Sequence, residues 1–254
     1  MLQVSGMTKN FGGLAAVSDV SVSIQPGELV GLIGPNGAGK TTFFNLLTGY
    51  IRPSSGTVTF EGKNITGKKP HYVASRGMIR SFQQDNVFAG FTALENLVLA
   101  SHLNADVNFL QTIFKTRHAR RRQSEIQTRA EEVLELVGIQ HLAGSRAGSL
   151  AHGHKRMLGI ALALMCEPKL LLLDEPLAGM NVAEVDETLA LVRKLWEGGL
   201  TVLLIEHNMR AAMSICQRFH VLSFGRKIAE GTPDEIRNNP DVVKAYLGTA
   251  ANAA

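Results

Sequence analysis

Residues 34–42 read Gly-Pro-Asn-Gly-Ala-Gly-Lys-Thr-Thr, and no other stretch constrains the fold so strongly. The pattern is G-x-x-x-x-G-K-[ST], with Gly34, Gly39, Lys40 and Thr41 at the fixed positions. Glycines let the backbone fold into a tight concavity, so that successive N–H groups point inward at a phosphate. A following helix adds the positive end of its dipole. Lys40 is placed to reach the β- and γ-phosphates and Thr41 to ligate Mg²⁺, while Pro35, Asn36, Gly37, Ala38 and Thr42 complete the wall. The motif also demands a strand before it and a helix after it. Residues 28–33 (E-L-V-G-L-I) form a short apolar run, and Phe43, Phe44, Leu46 and Leu47 then repeat at helical spacing. A chance glycine-rich turn has no reason to carry both flanks. The expectation is a nucleotide phosphate site.

At 254 residues the chain has room for one large α/β core, or for such a core with an inserted subdomain. Apolar residues make up 45% of it, as in a folded globule. No run approaches the roughly 18 apolar residues of a membrane span. The N-terminus M-L-Q-V-S-G-M-T-K-N lacks the layout of a secretory signal. Cys166 and Cys216 lie in apolar helical segments and read as buried thiols of a cytoplasmic protein, with a disulfide between them left open. Much of the net charge of +4 gathers at Lys115, Arg117, Arg120, Arg121, Arg122 and Arg129. A solvated helix face is the simplest reading of that cluster, ahead of anionic headgroups or nucleic acid.

Along the chain, β-formers at 2–4, 20–24 and 58–60 are separated by Gly12-Gly13, Pro26-Gly27 and Glu61-Gly62. From about Thr92 to Cys166 the periodicity is helical, with Leu94, Leu97 and Val98 on one face and Val133, Leu134, Leu136 and Val137 on another. Buried strands return at 170–173 and 201–205, with one amphipathic helix, 182–196, between them. That alternation predicts a parallel sheet with helices on both faces. Thr232-Pro233-Asp234-Glu235 is a capping box that opens a terminal helix.

An acidic pair, Asp174 and Glu175, ends the strand at 170–173, at the sheet edge where α/β proteins bind ligands. Asp174 suits Mg²⁺, and Glu175 suits polarising the water that attacks a γ-phosphate. His207 follows the next strand in I-E-H-N-M and is placed to hydrogen-bond the γ-phosphate. Gln83 lies where core gives way to helices, in reach of metal or water.

With these residues in order, the chain resembles the ATP-binding subunits of ABC transporters over nearly its whole length. The resemblance implies an α/β P-loop NTPase core with an N-terminal antiparallel β subdomain and an inserted helical subdomain. It divides the single domain into a nucleotide-binding core (1–84 and 167–235), a helical signature subdomain (85–166), and a C-terminal helix and tail (236–254). It makes Gln83 the Q-loop glutamine and His207 the switch histidine. Phe11, in K-N-F-G-G-L, becomes the aromatic that stacks on adenine, and 177–181 (L-A-G-M-N) resembles the D-loop. Leu150, Ala151, His152, Gly153 and His154 stand in place of the signature L-S-G-G-Q, which contacts ATP held by the opposite subunit. R-S-F-Q-Q at 80–84, E-P-L-A-G-M-N, I-E-H-N-M and the terminal I-R-N-N-P-D-V-V-K-A-Y-L-G look like branched-chain amino acid importer ATPases, with a urea or amide branch nearby.

The implied activity is Mg²⁺-dependent ATP hydrolysis in a head-to-tail dimer with a second ATPase subunit, a paralogue or a second copy. The dimer would drive integral membrane permeases and a solute-binding protein from the cytoplasmic face of the inner membrane, with no nucleic-acid partner. Ala151 replaces the signature serine and His154 its glutamine, a departure that implies two unequal ATP sites. The rival readings are a non-transport ABC ATPase acting on DNA or ribosomes, and a P-loop kinase or GTPase. The first lacks tandem cassettes, coiled coils or zinc motifs here, and the second lacks an N-K-x-D guanine reader.

Overall fold

A computed structural model describes residues 1–81, 87–104 and 117–251. Gln83 therefore lies outside the described residues, as do Lys115 and the side chains of Arg117 and Arg120. Two compact units emerge, one comprising 1–80, 169–178 and 192–254, the other 81–168 and 179–191.

The first unit opens with an antiparallel hairpin, β1 (Leu2–Phe11) and β2 (Leu14–Ile24), turning at Gly12-Gly13. β4 (Ser55–Phe60) and the short β5 (Lys63–Asn64) extend it into a sheet of order β2-β1-β4-β5. One face of these strands is buried through Leu2, Val4, Val22, Ile24, Val58 and Phe60, while alternate residues meet solvent.

The second sheet is built around β3 (Leu29–Ile33), β7 (Leu170–Asp174) and β8 (Thr201–Ile205), whose residues are all buried. Such near-continuous apolar runs belong to parallel strands covered on both faces. With β6 (Met78–Arg80), β9 (Arg218–Ser223) and β10 (Arg226–Gly231), the order is β10-β9-β3-β8-β7-β6. All pairs are parallel except the β9–β10 hairpin at one edge. Gly31 interrupts β3 because a Cβ there would enter the Phe219 ring on the neighbouring strand. β3, β8 and β7 are consecutive neighbours, so the loops leaving their carboxyl ends converge. Helix α1 (Lys40–Leu47) buries Phe43, Phe44, Leu46 and Leu47, and α2 (Pro70–Ser75) precedes β6.

The helical unit carries α3 (Ala93–Asn104), α4 (Arg117–Leu136) and α5 (His152–Leu164). α6 (Val182–Glu197) begins in this unit and ends in the first. On α4, Arg121 pairs with Glu125 and Arg129 with Glu132, both on exposed turns, which is the arrangement of a solvated face. The first unit then finishes with α7 (Met209–Ile215), α8 (Pro233–Asn238) and α9 (Pro240–Ala251). The capping box read from sequence is present at Thr232 and Glu235.

One expectation needs correction, and one element had no reading in the sequence. Cys166 is only half-buried because α5 ends at Leu164, leaving it on the following turn; Cys216 is buried, and no disulfide joins them. The β9–β10 hairpin was unforeseen, because Arg218, His220, Arg226 and Lys227 break the apolar pattern of an edge that polar pairing holds.

Candidate active site

The phosphate loop leaves the end of β3, and its shape comes from backbone that only glycine tolerates. Gly34, Gly37 and Gly39 all have positive φ, at 153°, 77° and 97°. A Cβ at Gly34 would strike the carbonyl of Leu222 on β9, and one at Gly39 would lie 2.6 Å from the carbonyl of Ala16 on β2. Gly39 caps α1 in a left-handed conformation without a side-chain acceptor, so no side chain competes for the first N–H groups of that helix. The Lys40 ammonium turns back into the loop and donates to the carbonyls of Gly34 (2.7 Å) and Pro35 (3.0 Å). Burial pulls the Lys40 pKa down, opposed by the charges of Glu175 and Asp174.

The loop floors a cleft of about 390 Å³, lined among others by Asn36, Gly37, Ala38, Gly39, Lys40, Thr41, Thr42 and Glu175. Leu14, Ala15 and Ala16 form a second wall, and Phe224 and Gly225 a third. These last two make the turn between β9 and β10, with φ of 47° and 76° flanked by the pair Ser223–Arg226, the pattern of a type I′ hairpin. The turn is tied down on both sides: Gly225 N–H donates to the carbonyl of Ala38 (3.0 Å), and its carbonyl accepts from Ser18 N–H (2.7 Å). Sequence reasoning missed Phe224. The Phe-Gly dipeptide after a run of β-formers was the available signal.

Glu175 faces the cleft from the end of β7, in a left-handed conformation (φ 48°) that a non-glycine residue adopts only under constraint. Its N–H donates to the Ile205 carbonyl on β8 (2.9 Å). His207, from the next loop, lies with Nδ1 3.7 Å from Glu175 Oε2. Asp174 is buried and ion-paired to Arg80, whose guanidinium also donates to Asn45 on α1 (2.8 Å). The fold thus brings Lys40, Asp174, Glu175 and His207 to one edge of one sheet. Phe11 stands apart: it ends β1 half-exposed, with the Lys9 ammonium 5.0 Å from its ring centre.

Among the described residues, no group of three His, Cys, Asp or Glu side chains could hold a metal. Mg²⁺ takes one or two protein oxygens and completes its shell with phosphate and water, and the Thr41 hydroxyl in the cleft wall is an oxygen donor of that kind.

In the helical unit, 150–154 leads into α5. Ala151 is the N-cap, extended and without a side-chain bond to the helix. Gly153 abuts the Glu184 carboxylate and Gly179 (φ 75°) abuts the His152 ring, so a Cβ at either would collide. His154 packs edge-on against His141, with centroids 5.9 Å apart.

This combination of loop, acidic strand end and histidine defines a P-loop nucleotide hydrolase with a parallel sheet. The family model described as "ABC transporter" matches residues 17–178, and that of the "Branched-chain amino acid ATP-binding cassette transporter" matches 226–252. The high-affinity branched-chain amino acid transport ATP-binding protein BraF of Pseudomonas aeruginosa is 46% identical over 251 residues, 98% of each chain. An ATP-binding cassette of an ABC transporter in its ADP conformation superposes with TM-score 0.84 at 31% identity, covering 98% of both chains. A bacterial ABC transporter cassette solved as a dimer superposes with TM-score 0.78 at 25% identity, covering 92% of this chain and 99% of that one. The chain belongs to the ABC transporter family, as one of its ATP-binding, ATP-hydrolysing cassettes.

Proposed function

We propose that this chain is the ATPase subunit of an importer of branched-chain amino acids, driving a separate permease from the cytoplasmic face of the membrane. The observation that carries the reading is the meeting of Lys40 and Glu175 in a 390 Å³ cleft with His207 3.7 Å from Glu175, in a chain 46% identical to BraF with a matching C-terminal segment. No described helix is long and apolar enough to cross a membrane.

In this reading the triphosphate lies in the loop at 34–42, against backbone N–H groups and Lys40. Glu175 orients the attacking water and accepts its proton, and His207 holds the γ-phosphate oxygens. Mg²⁺ would be held by Thr41 and Asp174, with Gln83 alongside, where it neutralises charge on the phosphates. Phe11 carries the adenine. A second cassette, a paralogue or a copy of this chain, closes head-to-tail so that 150–154 of each covers the nucleotide of the other. The helical signature subdomain (85–166) transmits the cycle to the permease, and a solute-binding protein delivers the amino acid.

Reconstitution with its permease and partner ATPase tests the proposal. ATP-dependent uptake of leucine, isoleucine and valine is expected, with urea left behind. Uptake of urea alone, or nucleic-acid-stimulated hydrolysis without uptake, overturns it.

A further inference from the structure

β8 ends at Ile205 and Glu206-His207-Asn208 follow it, with Glu206 fully buried. A carboxylate placed there without partners would be strongly unfavourable. Its two oxygens instead reach two different loops. Oε1 accepts the N–H of Leu177 (2.9 Å), two residues beyond Glu175; Oε2 accepts the N–H of Asn208 (3.5 Å), immediately after His207. Asn208 in turn caps α7 by accepting the N–H of Ala211 (3.1 Å). One buried side chain therefore spans the turn that presents Glu175 and the turn that presents His207.

Neither presented side chain is fixed by its own packing, since Glu175 and His207 remain 40% and 54% exposed. Their relative placement must come from the backbone below. On the near side of Glu175 the Ile205 carbonyl holds its N–H, and on the far side Glu206 holds Leu177. Both clamps come from the end of β8. A left-handed glutamate persists only where its surroundings over-determine it, and these two clamps do so.

We infer that Glu206 is a positioning residue for hydrolysis, locking the Glu175 turn to the His207 turn so that water activation and γ-phosphate contact move as one unit. The inference rests on the roles proposed above for Glu175 and His207. Burial raises the pKa of Glu206, while the N–H groups of Leu177 and Asn208 and the neighbouring His207 favour its charged form and Glu175 opposes it.

The test is a cycle of substitutions in the chain assembled with its partner ATPase and permeases. Glu206→Gln keeps the shape but presents only one carbonyl oxygen, so one of the two N–H groups loses its acceptor. It should lower kcat about tenfold with KM for ATP nearly unchanged, while the orphaned N–H lowers the melting temperature by no more than a few degrees. Added to His207→Ala, which removes one of the groups being positioned, it should cost less than about twofold more. The same fold-loss in both backgrounds, or a raised KM and lowered melting temperature at unchanged kcat, overturns the inference. If His207→Ala itself leaves turnover intact, the assignment of the site fails instead, and with it the premise. Glu206→Ala, which drops both contacts, extends the series if it folds, with a loss larger than that of Glu206→Gln expected.

Discussion

The phosphate loop and the start of α5 both present helix N-terminal N–H groups, yet they are built in opposite ways. In the loop, three glycines at positive φ, a buried lysine and walls from β2 and the β9–β10 turn fix every donor. At α5 the N-cap is Ala151, exposed and without a side-chain bond. That helix start rests on the close packing of Gly153 on Glu184 and of Gly179 on His152, with His154 against His141. Glu184 is itself occupied, exchanging hydrogen bonds with Asn181 across the first turn of α6. The loop is thus a complete anion cradle with its own cation. The α5 start offers donors, with Lys155 and Arg156 in its next turn, but no hydroxyl at the N-cap. Changes in the first region should abolish catalysis, and changes in the second should tune it.

The comparison breaks most visibly at Glu175. Glu175→Gln should lower kcat by roughly 10²–10⁴, the range for a positioned general base, with ATP affinity retained. Single-turnover hydrolysis alongside equilibrium nucleotide binding separates the two quantities. Turnover near that of the unsubstituted chain would show that the core region does not supply the base.

Acid should attack the core unit through His220. This side chain is fully buried on β9, and burial pulls its pKa from 6.5 to about 4, with Glu230 (3.4 Å) opposing and Arg218 and Lys227 reinforcing. A histidine depressed in the folded state takes up its proton more readily when unfolded. Its contribution is therefore complete above about pH 6.5 and is lost as pH falls toward about 4. The full range corresponds to about 3 kcal/mol, with about 2 kcal/mol gone by pH 5. Urea unfolding at pH 7 and pH 5 should show this loss, and His220→Gln should flatten it. An equal pH dependence in the variant would move the acid sensitivity elsewhere.

What sequence made legible follows the same division. The loop, Asp174, Glu175 and His207 could be found because chemistry and backbone geometry restrict residue type there. Only glycine fits at Gly34 and Gly39, and a carboxylate at a strand end has few other uses. Glu206 escaped notice because one carboxylate just past an apolar strand looks like a boundary residue until its burial and its two N–H partners are in view. Phe224 escaped because its place in the cleft depends on a hairpin whose strands are patterned by ion pairs rather than by alternation. Phe11, which the family resemblance offers for the adenine, ends β1 opposite Leu14, a residue of the cleft wall. The strain at Glu175 has no sequence signature at all.

A smaller effect sharpens the contrast from the core side. Phe224 is 87% exposed at φ 47°, a conformation costing a non-glycine residue roughly 1–2 kcal/mol. Phe224→Gly should release about 1 kcal/mol of that and raise the melting temperature by roughly 2–4 °C. If the ring is kept for the nucleotide, ATP affinity should fall as stability rises. A variant that is more stable and binds equally well would remove Phe224 from the site.

The smallest effect is expected at Ala151, and it tests the other half of the comparison. A serine at an N-cap accepts from the N–H of the second or third helical residue and is worth about 1 kcal/mol over alanine. Ala151→Ser should therefore steady the start of α5 without touching the loop at 34–42. In the proposed dimer its hydroxyl also faces the nucleotide bound by the partner, where a hydrogen bond of about 0.5–1.5 kcal/mol corresponds to a two- to tenfold gain. The measurement is ATPase activity of an assembly in which this chain also carries Lys40→Ala, so that the partner's phosphate loop alone turns over. A rise in that assembly, with no change when the partner's loop is the one inactivated, would place the weakness of the pair in the missing hydroxyl. Unchanged turnover in both would mean that the backbone N–H groups of α5 suffice, and that the missing hydroxyl is not what makes the two ATP sites unequal.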